Sequence, residues 1–438
     1  MRRVNIGLIG AGTVGGGVFQ ALQRNRALLS SRLGVSLEVR KIAVRDLRRA
    51  RRVKLPARLL TQDWKSIVSD PDIDVVVELM GGTTTARTVV LEALRHGKPV
   101  VTANKALISA HGEELFRVAQ EHNDNLYYEA SVAGGIPIIK VLRESMIGNR
   151  ITRLYGIVNG TCNYILTRMK REGAEFTSVL ADAQRLGYAE AEPSLDVDGH
   201  DAAHKVGILA SLAHGFWVKP DQIFTEGIRG ITRLDIEFAA KLGYTIKLLG
   251  IVKTVGARTP RTNQVQVSVY PALVPDTHVM ASVNDVFNAV FLRGDIVGDT
   301  LYYGRGAGQD ATASSVLSDL GDAALDLKHG SNRRIPAFTP CDGGGQVQPI
   351  DDAVSRYYLR LDVTDRPGVL ARIATILGKA RIGISSVIQP EGHGGRSVPL
   401  ILMIHDATNA SMREALRVIG RLPVIKSKPT MIRVETFE

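Results

Sequence analysis

The stretch AEAEPSLDVDGHDAAHK, residues 189–205, gathers Glu190, Glu192, Asp196, Asp198 and Asp201 with His200, His204 and Lys205. Three chemistries use such a set: a metal site, a solvated acidic loop, or a cage for a small charged substrate. An EF-hand loop needs oxygen ligands at its positions 1, 3, 5 and 12, with glycine at 6. A register starting at Ser194 supplies Asp196, Asp198 and Gly199, then puts the cation Lys205 where the bidentate acid belongs. Zinc fits no better, because His200 is followed by Asp201 and not by the glutamate of H-E-x-x-H. The third chemistry suits the residue types. Pro193 and Gly199 break the backbone, and DAAHKVGILASLAHG (201–215) has helical periodicity. Asp201 and Lys205 are then neighbours one turn apart on a helix face. Glu190 and Asp196 come from the preceding loop. Such carboxylates can grip an ammonium group while Lys205 protonates a carbonyl oxygen that becomes an alkoxide during hydride transfer. The solvated acidic loop is the alternative.

A hydride needs a carrier, and the first residues read as a place for one. VNIGLIG (4–10) is a short apolar run of the kind that forms a buried parallel strand. It leads into Gly10, Gly12 and Gly15 at G-x-G-x-x-G spacing, and VGGGVFQALQR reads as helix. Gly10 makes the tight turn, Gly12 lets a pyrophosphate approach the backbone, and Gly15 lets helix and strand pack closely. The helix N-terminus offers free N–H groups to the phosphates. Further strands are expected at 36–44, 72–80, 98–104 and 125–131, with helices such as TTARTVVLEALRHG between them. This is a Rossmann-type doubly wound parallel sheet. After the second strand Arg45 could accept a 2′-phosphate, which favours NADP; the adjacent Asp46 leaves NAD open. Lys54 lies further along the same basic run, residues 40–54.

Lys105, in TANKALIS (102–109), follows a strand that should end at the cofactor crevice, within reach of a substrate oxygen or a cofactor phosphate. EASVAGGIPII (129–139) is small and glycine-rich, suited to a tight interdomain linker or to carbonyls turned on a cation. Cys162, in NGTCNYIL, is either a nucleophile or a small buried residue.

The chain has 438 residues, 45% hydrophobic and 23% charged, with a net charge of +11. That length suggests about two to four domains. No apolar run reaches the length of a membrane helix, no signal-peptide cleavage pattern follows the N-terminus, and two cysteines cannot build a disulfide framework. A soluble cytoplasmic protein is expected. The basic run has no interleaved aromatics to stack bases, so a solvated loop or a phosphate contact is favoured over nucleic-acid binding. After a polar link, residues 356–438 follow a strand–helix–strand–strand–helix–strand order, which is ferredoxin-like.

Taken in order, GLIGAGTVG, ELMGG, TANKA, EASVAGGIPII, NGTCNYIL, GYAEAEPSLDVDGHDAAHK and GRGAGQDATASSV resemble the homoserine dehydrogenase family over essentially the whole chain. DRPGVLARIATIL resembles an ACT domain. The resemblance implies reversible NAD(P)H-dependent reduction of L-aspartate 4-semialdehyde to L-homoserine, on the route to threonine, isoleucine and methionine. It makes Lys205 the acid–base residue and Lys105 a second active-site lysine beside the nicotinamide. Glu190 and Asp201 would bind the amino acid, and Asp196 would support the lysines. It places the cofactor against Thr13, Val14, Arg45, Gly187 and the returning turn 304–308 with Gly306 and Gly308. It assigns a monovalent cation, sodium or potassium, to the carbonyls of Glu129, Val132, Gly134 and Ile136. It further implies threonine feedback through the ACT domain, a homodimer or homotetramer, and no fused kinase domain.

The expected division is a dinucleotide-binding domain at 1–132 with a return segment at 304–330, and an α+β catalytic and dimerisation domain at 133–303. A linker at 331–355 and an ACT domain at 356–438 follow. Three other readings compete: a semialdehyde dehydrogenase acylated on Cys162, an NADP-binding sensor without catalysis, and a nucleic-acid binder.

Overall fold

The apolar run after Arg3 forms the strand Arg2–Ile9, whose Val4, Ile6, Leu8 and Ile9 are all buried. In the computed structural model, which describes residues 2–256, 263–331, 334–341, 344–390 and 397–437, this strand is central to a six-stranded sheet. The spatial order is Leu60–Thr61, Val35–Ala43, Arg2–Ile9, Val75–Glu78, Val100–Thr102, Leu126–Tyr127. Every pairing is parallel. Chain order reverses between Arg2–Ile9 and Val75–Glu78, and ligands of open parallel sheets bind at that switch point.

Both faces are covered, as a doubly wound sheet requires. Helices Thr13–Arg24 and Gln309–His329 bury Val18, Leu22, Val316 and Leu320 against one face. Helices Thr84–Arg95 and Lys105–Glu121 bury Val90, Leu94 and Leu115 on the other. Gln309–His329 comes from far along the chain and packs closely on the first helix. A Cβ at Gly17 would lie 2.4 Å from Gln309 Cγ.

Between the first helix and the second strand lies a further helix, Arg26–Leu33. It buries no residue and ends at Gly34 in the left-handed conformation. Leu29 and Leu33, one turn apart, pack partly buried against the sheet's core, a stripe too short for periodicity to detect.

The middle of the chain builds a mixed sheet in the order Gly298–Arg305, Phe287–Gly294, Ile151–Ile157, Tyr244–Thr254, Gln264–Pro275. Helices Gly160–Glu172 and His200–His214 pack on one of its faces through Ile165, Val206 and Leu209. The C-terminal strands Thr430–Val434, Val354–Val363, Val398–Thr408 and Ile384–Ile388 lie side by side in that order, with helices Val369–Lys379 and Asn409–Ile419 on one face. This is the ferredoxin-like arrangement. Its sheet is continuous with the middle one, because Thr430–Val434 pairs in parallel with Gln264–Pro275 at Ala272↔Arg433 and Leu273↔Val434.

Residues 332–333 and 342–343 of the expected linker lie outside the described residues. Its described part is anchored: Cys341 N donates to Gly215 O at 2.7 Å, and Gln346–Val347 adds a short strand to Gln264–Pro275. No helix among the described residues is long and apolar enough to cross a membrane.

Candidate active site

Helix His200–His214 starts from Gly199, held at φ 88°, and presents Asp201 in its first turn and Lys205 one turn later. Asp201 is 3% exposed. Its Oδ2 takes the Lys205 ammonium at 2.7 Å, and its Oδ1 lies 2.5 Å from the Lys105 ammonium. Lys105 arrives from the Rossmann half, as the first residue of Lys105–Glu121. One carboxylate therefore joins a lysine from each half of the molecule.

Asn159 completes the cage. It caps helix Gly160–Glu172 by accepting from Cys162 N at 2.8 Å, and its amide donates to Asp196 Oδ1 at 2.7 Å and Asp201 Oδ2 at 2.9 Å. Lys205 Nζ also donates to Val158 O at 2.7 Å.

Burial disfavours charge at all these groups. It pushes the Lys205 ammonium below its ordinary value; Asp201 opposes that shift and the nearby Lys105 adds to it. Burial works against the Asp201 carboxylate too, but Lys205 and Lys105 overcome it and hold its pKa well below the usual range. Asp196, with less cationic support, is pushed upward by burial.

Lys105 is positioned by residues that the sequence reading passed over. The buried Glu78 accepts from Thr102 Oγ1 at 2.7 Å and from Met80 N at 2.8 Å. Asn104 donates to Gly82 O at 2.7 Å and caps the helix at Leu107 N. These contacts pin the ends of strands Val75–Glu78 and Val100–Thr102 at the crevice. Two signals were present in the sequence: Glu78 is an acid at the end of an apolar strand, and Asn159 precedes Gly-Thr as an N-cap residue does.

The glycine turn has the geometry its spacing predicts. Gly10 sits at φ 101°, and a Cβ there would meet Leu79 O at 2.5 Å. A Cβ on Gly15 would lie 2.1 Å from Gly10 O, whereas one on Gly12 would meet nothing within 4 Å. That open side faces Thr13 and Val14 at the start of a helix with no side-chain cap and no acid in its first turn. Its N–H groups are available to an anion. Gly308, at φ 114° with open space around it, starts Gln309–His329, also without a side-chain cap. Gly306 packs so tightly that a Cβ would overlap Asn288 at 1.9 Å.

Arg45 is exposed after its strand, with its carbonyl held by Gln62 Nε2 at 2.9 Å. Lys54 lines a groove with Phe19, Leu22 and Arg26, toward the far end of the first helix rather than its N-terminus. Gly187 is exposed at φ 78° in open space. Glu190 is exposed, and Gln184 Nε2 donates to its backbone carbonyl at 3.0 Å. The structure thus assembles Lys105, Asp196, Asp201 and Lys205, and leaves the Glu190 carboxylate outside that cluster.

The loop 129–136 is buried at Glu129, Val132, Gly134 and Ile136. The Glu129 carboxylate is engaged by Ile139 N at 2.9 Å and Lys140 N at 2.8 Å, so only main-chain oxygens could hold a cation. Ala133 and Gly134 are both left-handed, at φ 55° and 50°, which swings successive carbonyls to new directions. Gly134 O already accepts from Ser315 Oγ at 2.5 Å. Burial raises Glu129 to about 7 and pushes Asp319, which accepts from Glu129 N, well upward. A carbonyl-held cation beside this acidic pair fits the loop's chemistry. No cluster of three or more His, Cys, Asp or Glu side chains among the described residues could hold a metal ion.

Cys162 is fully buried, and its thiol donates to Asp196 O at 3.2 Å. Burial pushes its pKa well up, the reverse of an activated nucleophile. This removes the acylation reading.

Residues 137–320 match the homoserine dehydrogenase family model, residues 10–129 its NAD-binding domain, and residues 357–423 the ACT domain. The chain is 44% identical to the homoserine dehydrogenase of Pseudomonas aeruginosa over 99% of each. This chain belongs to the homoserine dehydrogenase family. As a homoserine dehydrogenase it is an NAD(P)-dependent oxidoreductase with an ACT domain. A crystal structure of a homoserine dehydrogenase from Thiobacillus denitrificans superposes with a TM-score of 0.93 at 42% identity, covering 100% of this chain and 99% of the other. A hyperthermophilic archaeal homoserine dehydrogenase in complex with NADPH matches with a TM-score of 0.62 at 27% identity, over 74% of this chain and 98% of its own.

Proposed function

We propose that the Lys105–Asp201–Lys205 cluster carries the interconversion of L-aspartate 4-semialdehyde and L-homoserine, with NADP(H) as the preferred carrier. The single observation that carries this reading is the buried Asp201 carboxylate bridging lysines from the two halves at 2.5 and 2.7 Å. A bound nicotinamide supplies or accepts the hydride. Asp201 and Asp196 draw the substrate ammonium, and Glu190 closes on it from the exposed loop. Lys205, largely sheltered and poised by burial, protonates the carbonyl oxygen or takes the hydroxyl proton in reverse. Lys105, whose side chain is 36% exposed, reaches the same oxygen from the cofactor side.

Gly10, Gly12, Thr13, Val14 and Gly15 would hold the pyrophosphate, with Gly187, Gly306 and Gly308 completing the cradle. The exposed Arg45, and the NADPH bound by the archaeal relative, support NADP over NAD. The carbonyls of Glu129, Val132, Gly134 and Ile136 would hold a sodium or potassium ion. The ACT domain supports an amino-acid effector, threonine by family. The exposed Leu301 and Tyr303 on the outer strand Gly298–Arg305 support a homodimer. Two free cysteines suit a cytoplasmic setting.

The test is reduction of NADP⁺ or NAD⁺ on adding L-homoserine at alkaline pH, with sodium or potassium present. Turnover faster with NADP⁺ is expected. Equal kcat/KM for the two carriers would remove Arg45's role. No turnover with either would return the protein to the sensor reading.

A further inference from the structure

The turn that carries Asp196 and leads to Asp201 does not stand alone. Residues 224–229 form a strap across it. Ile228 N donates to Val197 O at 2.8 Å. Arg229 grips Asp198 at 2.5 and 3.2 Å and Ser194 Oγ at 2.8 Å. Gly227 lies so close that a Cβ would sit 2.1 Å from Val197 O, and a Cβ on Gly199 would lie 3.4 Å from Glu226 O.

The other end of the strap meets the C-terminal module. Phe224–Thr225 pairs with Ser268 and Val269, on the same edge of Gln264–Pro275 where Thr430–Val434 pairs with Ala272 and Leu273. Where the two segments meet, Glu226 Oε2 accepts from Arg433 Nη1 at 3.0 Å. Arg433 is 2% exposed. Its guanidinium lies 4.9 Å from the Phe224 ring centroid and 4.5 Å from that of Tyr270, and it donates to Asn409 Oδ1 at 2.7 Å. A guanidinium locked on so many sides is a rigid reference point, and Glu226 transfers its position to the strap.

We infer that Glu226 is a positioning residue for the reaction: held by Arg433 of the C-terminal module, it sets the 194–199 turn and so the placement of Asp196 and Asp201. The inference rests on the assignment of those two carboxylates to the substrate ammonium. Loosening Glu226 moves substrate-side groups, while the glycine turn and Lys105 stay on the Rossmann sheet. The effect therefore falls on homoserine binding and leaves cofactor binding alone.

The test is Glu226→Gln in the full chain, at a half-exposed position where the amide keeps the size and loses the charge. The homoserine KM should rise about 3- to 10-fold with the NADP⁺ KM unchanged, the signature of lost ground-state binding. Arg433→Lys should act in the same direction, and the double variant should be no worse than the poorer single, because both act through one contact. A merely structural role lowers the melting temperature and leaves both KM values alone. A folded Glu226→Gln protein with the wild-type homoserine KM overturns the inference. Asp201→Asn separates the two levels. If it raises the homoserine KM and Glu226→Gln does not, the strap fails alone; if it too is silent, the site reading fails first.

Discussion

Asp201 and Asp235 are equally hidden from solvent, at 3% and 0% exposure, and the fold answers them differently. Asp235 is closed off. Its Oδ2 accepts from Thr232 N at 2.9 Å and Thr232 Oγ1 at 2.7 Å in a capping box at the start of Arg233–Lys241. Arg360, from the C-terminal module, reaches both oxygens at 2.7 and 3.3 Å, and Tyr358 OH donates at 3.1 Å. Every partner is a fixed dipole or a guanidinium that keeps its charge. Asp201 has two lysines, compact charges on flexible stems, and burial lowers the pKa of Lys205. The first arrangement is a joint between the catalytic region and the C-terminal module. The second has a titratable partner, which a proton-transfer site needs and a joint does not.

The largest expected effect breaks the titratable side. Lys205→Ala should lower kcat for homoserine oxidation by about 10²- to 10⁴-fold, the range for loss of a general acid–base group. Its circular dichroism should stay native, since Asp201 keeps Lys105. Turnover within tenfold of wild type would take the catalytic role from Lys205. Next comes the closed side. Asp235→Ala leaves the buried Arg360 with only the longer Asp362 contact, at 3.4 Å, as counter-charge and should cost about 1–3 kcal/mol of stability in denaturant unfolding. The homoserine KM of the folded fraction should not change; a raised KM with unaltered stability would make Asp235 part of the site.

The smallest effect sharpens the contrast. Burial, with Lys105's help, lowers the Lys205 pKa. With Lys205 as the proposed base, homoserine oxidation should climb with pH through a value below that of ordinary lysine. Lys105→Met removes a like charge, which raises that pKa and moves the rising limb to higher pH. A kcat–pH profile decides it; a limb that stays or moves down would mean that the lysines do not feel each other.

Much of this was legible along the chain because the signals are local. Gly10, Gly12 and Gly15 each answer a steric demand within a few residues, and the structure shows three different ones: a positive φ, an open approach and a tight helix contact. Asp201 and Lys205 share a helix face by period alone. The ferredoxin-like order of the last residues follows from alternating apolar runs. The illegible parts are those made by distant segments. Nothing near Lys105 indicates that its ammonium ends on Asp201, and nothing near Asn159 indicates that its amide bridges Asp196 and Asp201. The 304–308 turn was expected at the crevice by family resemblance alone; what the structure adds is the packing of Gln309, just after it, against Gly17 of the first helix.

The sequence by itself determined the parallel nucleotide-binding sheet, the family and the residue types of the site, because backbone sterics and hydrophobic period act over short spans. Only the tertiary structure decided which charges meet, how burial shifts them, and that the C-terminal strand shares a sheet with the catalytic region. Those outcomes depend on which surfaces are removed from water together, and that is a property of the packed molecule.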